Sequence, residues 1–123
     1  MTARQETSSF IRASFRSVWA LELLLLLRKH AARGWTQTEM VEALRGSELV
    51  VVQSVDALVA AGLVLIDEEG SARYSPVSGD LDQQVEEAAQ MYAKSPDAVR
   101  RMIVASAHGG LAAFADAFRL RKD

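Results

Sequence analysis

Between Thr36 and Gly62 the chain starts two helices in quick succession and leaves almost no linker between them. Thr36-Gln37-Thr38-Glu39 is a capping box: the threonine hydroxyl accepts from the Glu39 amide while the Glu39 carboxylate reaches back to the Thr36 N–H. The spacing predicts a short helix through Leu44, with Met40, Val41 and Leu44 on its inner side and Gly46 as its stop. Ser47 then caps a longer helix over SELVVVQSVDALVAAG, whose inner stripe is Val51, Val55, Leu58 and Val59 at i, i+4, i+7 and i+8. Helices this short are marginal alone, so both must pack on a third. Gly62 ends the second helix, and the pattern changes: Leu63 to Asp67 reads as a strand, Glu68-Glu69-Gly70-Ser71 as a turn, and Ala72 to Ser75 as the return strand before Pro76. An isolated hairpin is barely stable, so this one must lean on the helices before it.

The third helix is supplied upstream. Ser8 or Ser9 can cap a helix whose apolar residues begin at Phe10, Ile11 and Phe15, and Val18, Trp19, Leu21 and the run Leu23 to Leu27 then cover nearly every side. Arg28, Lys29 and His30 follow, where cations suit a helix C-terminus, and Gly34 closes the segment. The pattern alone leaves open whether this is one helix or two pieces broken near Ser17. Downstream, Asp80 with Gln83 forms a second capping pair, and Leu81, Val85, Ala88, Ala89 and Tyr92 make a helical stripe through Lys94. Ser95-Pro96-Asp97 restarts a helix that buries Val99, Met102 and Ile103 and leaves Arg100 and Arg101 outside. Gly109-Gly110 breaks it, and Leu111, Phe114, Ala115 and Phe118 share one face of a last helix ending Arg119-Leu120-Arg121-Lys122.

Several function classes fall away. The chain has no cysteine, which removes disulfides, thiolate metal sites and cysteine nucleophiles. His30 and His108 are its two histidines, neither with a ligand at metal-site spacing. Gly109-Gly110 follows no strand and precedes no Lys-Ser/Thr, so it is not a phosphate loop. Glu68-Glu69 and Glu86-Glu87 are sequence neighbours, and the second pair cannot converge on a helix. The expectation is therefore no enzyme, no cofactor and no metal. The most apolar stretch, Val18 to Leu27, is interrupted by Glu22 and is about half of the roughly twenty residues that a bilayer span needs. With no n-region, h-region and cleavage site in order at the N-terminus, the expected location is cytoplasmic, away from membranes.

Charge is unevenly placed. Residues 1–35 carry Arg4, Arg12, Arg16, Arg28, Lys29 and Arg33 against Glu6 and Glu22, whereas residues 36–75 carry only Arg45 and Arg73 against seven acids.

The order of elements resembles the winged helix-turn-helix domains of MarR-like and related bacterial transcriptional regulators. The resemblance covers residues 17–76 and is carried by TQTEMVEAL as positioning helix, SELVVVQSVDALVAAGLV as recognition helix with its exit, and LIDEEGSARYS as wing. It implies a mainly α fold with a small β-hairpin: a winged helix-turn-helix core with flanking N- and C-terminal helices. Residues 1–16 would be an N-terminal helical arm and residues 77–123 a C-terminal helical region used for dimerisation. The implied function is a small cytoplasmic regulator of transcription that binds duplex DNA as a homodimer. Phe10, Ile11, Phe15, Leu111, Phe114 and Phe118, more aromatic than a wet surface requires, fit that dimer.

In such domains the start of the recognition helix meets base edges in the major groove and the wing follows the backbone. The candidate DNA-binding residues are accordingly Thr36, Arg45, Ser47, Leu49, Val50, Val52, Gln53 and Arg73. Gln53 suits a bidentate pair with adenine, and Leu49, Val50 and Val52 suit thymine methyls. Arg45 and Arg73 would meet phosphate, with Thr36 and Ser47 adding neutral hydrogen bonds. Glu48 and Asp56 on the same face, and Asp67, Glu68 and Glu69 around the hairpin turn, oppose phosphate binding. The alternative is a winged helix that has become a protein-interaction module and docks a partner through Leu49, Val50 and Val52.

Overall fold

Leu21, Leu23, Leu24 and Leu27 have no measurable exposure, and the described chain, residues 3–106 of the computed structural model, is wrapped around them. The elements run α1 (Ala3–Ser14), α2 (Val18–Lys29), α3 (Gln37–Leu44), α4 (Glu48–Ala60), β1 (Val64–Ile66), β2 (Ala72–Tyr74) and α5 (Gly79–Lys94). A further helix, α6, occupies 96–106. The fold is mainly helical with one small two-stranded antiparallel sheet. Among the described residues no helix is long and apolar enough to cross a membrane. The expected last helix, with Leu111, Phe114 and Phe118, lies outside the described residues, as do Gly109-Gly110 and the preceding His108.

The N-terminal segment is two helices. Ser17 accepts from the Ala20 N–H (3.2 Å) and caps α2, and α1 begins at Ala3, ahead of the expected caps Ser8 and Ser9. Phe10, Ile11 and Phe15 are buried within the same chain, with Phe10 and Phe15 edge to face at 5.9 Å. The Thr7 hydroxyl donates to Glu87 Oε2 (3.4 Å) where α1 meets α5. Phe10, Ile11 and Phe15, read as part of a dimer surface, are thus used internally, so their share of the dimer argument falls; Leu111, Phe114 and Phe118 lie outside the described residues.

α2 packs chiefly on α4, whose Val51, Val55 and Leu58 are buried as expected. Val59 is not part of that stripe: it is 40% exposed, and Ser54 is buried in its stead. Both caps form: Thr36 Oγ1 accepts from Glu39 N–H (3.2 Å) with the reciprocal bond present, and Ser47 Oγ accepts from Val50 N–H (3.1 Å). The left-handed residue after α3 is Arg45 (φ 56°), where Gly46 was expected. Gly46 follows it beside the Trp19 ring, where a Cβ would lie at 3.4 Å, an ordinary van der Waals contact. Gly34 likewise does not cap α2, which ends at Lys29 with His30 as cap. It passes so close to the hairpin that a Cβ would come within 2.9 Å of Ser71 Cβ.

After Gly62 (φ 77°), β1 pairs with β2 in the register Val64↔Tyr74, Leu65↔Arg73, Ile66↔Ala72. The hairpin has support on its other edge. Trp35 N–H donates to Ala72 O (2.9 Å) and Ala72 N–H to Trp35 O (2.8 Å), so one residue between α2 and α3 adds an antiparallel bridge beside β2. Neither strand is more than three residues long, and this bridge with the buried Leu63, Val64 and Ala72 is what holds them.

α5 is capped by Ser78, accepting from Leu81 N–H (3.1 Å), not by Asp80. Val85 and Ala88 are buried, and polar ties fix the rest. Arg28 pairs with Glu86 (2.5 Å) and Asp82 (3.7 Å), the Tyr74 hydroxyl donates to Asp82 (2.5 Å), and the Tyr92 hydroxyl donates to Glu22. α6 buries Val99 and Ile103 and leaves Arg100 and Arg101 exposed.

Candidate nucleic-acid interface

The turn from α3 into α4 brings three of the expected residues together. Thr36 and Ser47 are exposed at the N-termini of α3 and α4. Each hydroxyl accepts one backbone N–H, which leaves its own proton free to donate to an anionic oxygen. Arg45 is exposed between them and has no hydrogen bond or ion pair with any described residue. A non-glycine residue in the left-handed region costs about 1 kcal/mol or more, so an arginine kept there points outward at the expense of stability.

Along α4, Leu49 (65% exposed), Val52 (39%), Gln53, Asp56 and Val59 face solvent. Glu48 and Asp56 make no ion pair with a described residue. Val50 departs from the expectation. It is half-buried and helps line an open groove of about 720 Å³ between α4 and the α1–α2 corner. Gln53, Asp56, Arg16 and Trp19 also line this groove, over a floor that includes Ala20, Ala57 and Ala61. Arg16 and Trp19 are not among the DNA-binding candidates expected from the sequence, because the bend at Ser17 that carries them to α4 has no periodic signature. Arg16 partly offsets the missing positive charge beside Gln53.

Arg73 is placed less favourably. Its Nε lies 3.4 Å from Asp67 Oδ2 and its Nη1 donates to Ala32 O at 3.3 Å. Asp67 also accepts from the Ser71 (2.9 Å) and Glu69 (3.0 Å) amides, and these bonds, Ser71's first, with the arginine behind them, hold its carboxyl below the usual range. The arginine is spent on closing its own hairpin turn. Arg33 is similarly engaged: it pairs with Glu39 (2.9 Å) and stacks 3.7 Å above the Trp35 ring. Glu39 is held ionised below its normal range, by the Thr36 N–H first and Arg33 second.

Among the described residues no group of three or more His, Cys, Asp or Glu side chains is placed to share a metal ion. No protein-family model, curated protein or solved structure matches the chain.

Proposed function

We propose that this chain is a winged helix-turn-helix regulator of transcription that binds duplex DNA through the α3–α4 turn and the start of α4, with no catalytic role of its own. The observation that carries this reading is the Trp35–Ala72 bridge. It turns the order into helix, extended residue, two capped helices and hairpin, with the extended residue paired to the hairpin's second strand. In that frame Gln53 and Leu49 would meet base edges, while Arg45, Arg16, Thr36 and Ser47 would meet phosphates on either side. On DNA two copies are expected, their α4 helices about 34 Å apart in successive major grooves.

The test is binding-site selection from random duplexes followed by anisotropy titration of the enriched site at several salt concentrations. A chain making several phosphate contacts loses affinity steeply as salt rises, and Arg45→Ala lowers the slope of log K against log salt by about 0.9. Failure of any duplex to be enriched overturns the proposal. Light scattering of the complex checks the two copies.

A second reading is favoured by a specific observation. Leu49, Val52 and Val59 are exposed on one side of α4, and Arg73 is tied down in the hairpin, which is what a protein-docking winged helix would present. That reading predicts no enrichment of DNA and loss of a protein partner on Val52→Asp.

A further inference from the structure

Arg28, Arg33, Arg73 and Arg100 each pair with a carboxylate of the chain. Arg4, Arg12 and Arg16 do not: all three are exposed, with no hydrogen bond or ion pair to a described residue. Arg4 and Arg12 lie on one side of α1, and with Ser8 and Ser9 between them they line one open pocket of about 430 Å³. This side is turned away from the core, since Thr7, Phe10 and Ile11 on the opposite side of α1 are buried. Glu6, the one acid of α1, lies about 160° round the helix from Arg4 and about 120° from Arg12. The pocket adjoins the groove beside α4: Ala13, next to Arg12 and one turn beyond Ser9, lines that groove together with Arg16 and Gln53. A basic side thus runs along α1 to the edge of the α4 surface, where residues 36–75 themselves carry only Arg45 and Arg73 against seven acids.

We propose that this side of α1 is a second grip on the DNA backbone: Arg4 and Arg12, with the Ser8 and Ser9 hydroxyls between them, hold phosphates that flank the base pairs met by α4. The inference rests on the DNA-binding reading above and extends it to a surface remote from any base edge. Guanidinium groups pair bidentately with phosphate oxygens, and hydroxyls donate to them. The eight residues from Arg4 to Arg12 rise about 12 Å along α1, which matches three to four steps of about 3.4 Å along a DNA strand, so both arginines reach one stretch of backbone. A bilayer surface suits this side poorly. A helix lying on a membrane buries apolar residues beneath its charges, and the large apolar residues of α1, Phe10 and Ile11, are consumed by the protein core.

The test uses the full-length protein and the selected duplex, prepared with and without about six flanking base pairs on each side, roughly 20 Å of backbone. On the long duplex, Arg4→Ala with Arg12→Ala is expected to lower the slope of log K against log salt by about 1.8, so that the affinity gap to wild type narrows about twelvefold between about 50 and 200 mM salt. Arg4→Lys with Arg12→Lys keeps most of the slope, since each ammonium still releases a counterion from its phosphate. On the trimmed duplex the wild type and the alanine pair have equal slopes, because the flanking phosphates are gone. Both arginines are exposed, so melting followed by circular dichroism is expected to be the same for all three proteins. An alanine pair with the wild-type slope on the long duplex, a difference that persists on the trimmed one, or a lysine pair that behaves like the alanine pair each overturns the inference and leaves DNA binding at the α3–α4 turn standing. Loss of sedimentation with phosphatidylserine vesicles in the alanine pair, with DNA binding untouched, overturns it in favour of a membrane. If no duplex is selected at all, the inference and the reading it rests on fall together.

Discussion

Replacing Arg45 by glycine and by alanine separates what the residue does for the fold from what it does for a ligand. Arg45 sits at φ 56°, ψ 35°, inside the left-handed region, and closes the turn between α3 and α4. That backbone costs a non-glycine residue about 1–2 kcal/mol, and glycine avoids the cost. Glycine also gains freedom in the unfolded chain, worth roughly 0.5–1 kcal/mol against it. The net expectation for Arg45→Gly is a gain of roughly 0.5–1 kcal/mol, a rise in Tm of about 2–4 °C for a domain of this size. Arg45→Ala keeps the strained backbone and stays within about 0.5 kcal/mol of wild type. Both variants lose the guanidinium, so both weaken DNA binding equally and flatten its salt dependence by the same single contact. Differential scanning calorimetry and the anisotropy titration measure the two effects separately. Stabilisation by glycine with unchanged DNA affinity would refute the claim that strain is retained here for phosphate binding.

Three further outcomes follow from the packing. Leu58→Ala removes a side chain of zero exposure between α4 and the rest of the core, and is expected to cost about 2–5 kcal/mol in urea unfolding with an unchanged m-value. Gly62→Ala places a Cβ at φ 77° and 3.2 Å from a Val77 methyl, so a loss of about 1–2 kcal/mol is expected from the backbone alone. The chain's two tyrosines should titrate late: burial first and the bond to Asp82 second push Tyr74 up to about 12, and burial with Glu22 raises Tyr92. Because both folded values lie above the ordinary 10, the stabilisation is complete below pH 10 and for Tyr74 is lost as pH rises from 10 towards 12. Phenolate absorbance near 295 nm that reached half its total by pH 10 would contradict both placements.

What could be read in advance was local. The caps at Thr36 and Ser47, the stop at Gly62, the hairpin and the exposure of Leu49, Val52 and Gln53 all follow from side chains acting within one or two turns. What could not be read depended on distant partners. The Trp35–Ala72 pairing joins residues far apart in sequence and leaves no periodic mark. The pattern shows that Phe10, Ile11 and Phe15 need burial without showing that α5 lies beside them in the same chain. At Arg45 a rule about glycine chose the wrong neighbour, because the left-handed turn falls one residue before Gly46. In the candidate site, the capture of Arg73 by Asp67 and the arrival of Arg16 beside Gln53 both needed the tertiary fold.

The carboxylates of α4 discriminate between the two readings of its surface because only a DNA backbone sets like charges against them. Beside a DNA backbone, Glu48 and Asp56 are like charges to the phosphates. In an exposed, aqueous interface each such repulsion is worth about 1 kcal/mol at 4 Å and less with distance. Glu48→Gln with Asp56→Asn should then tighten DNA severalfold, more at low salt than at high, as screening shortens the reach of the field. If the face instead docks a protein, there is no phosphate repulsion to relieve, and the same pair of substitutions should leave duplex DNA unbound at every salt concentration. Folding tolerates the exchange, since both side chains are exposed and neither has an ion-pair partner among the described residues; the one expected cost is about 0.3–1 kcal/mol for removing Glu48 from the first turn of α4. Tighter DNA, with the gain fading as salt rises, is the result required if α4 lies against the phosphates. Weaker DNA binding would mean that a carboxylate receives a hydrogen bond from a base, which for these residue types is the amino group of cytosine, and the face would then be reading sequence with the acids themselves.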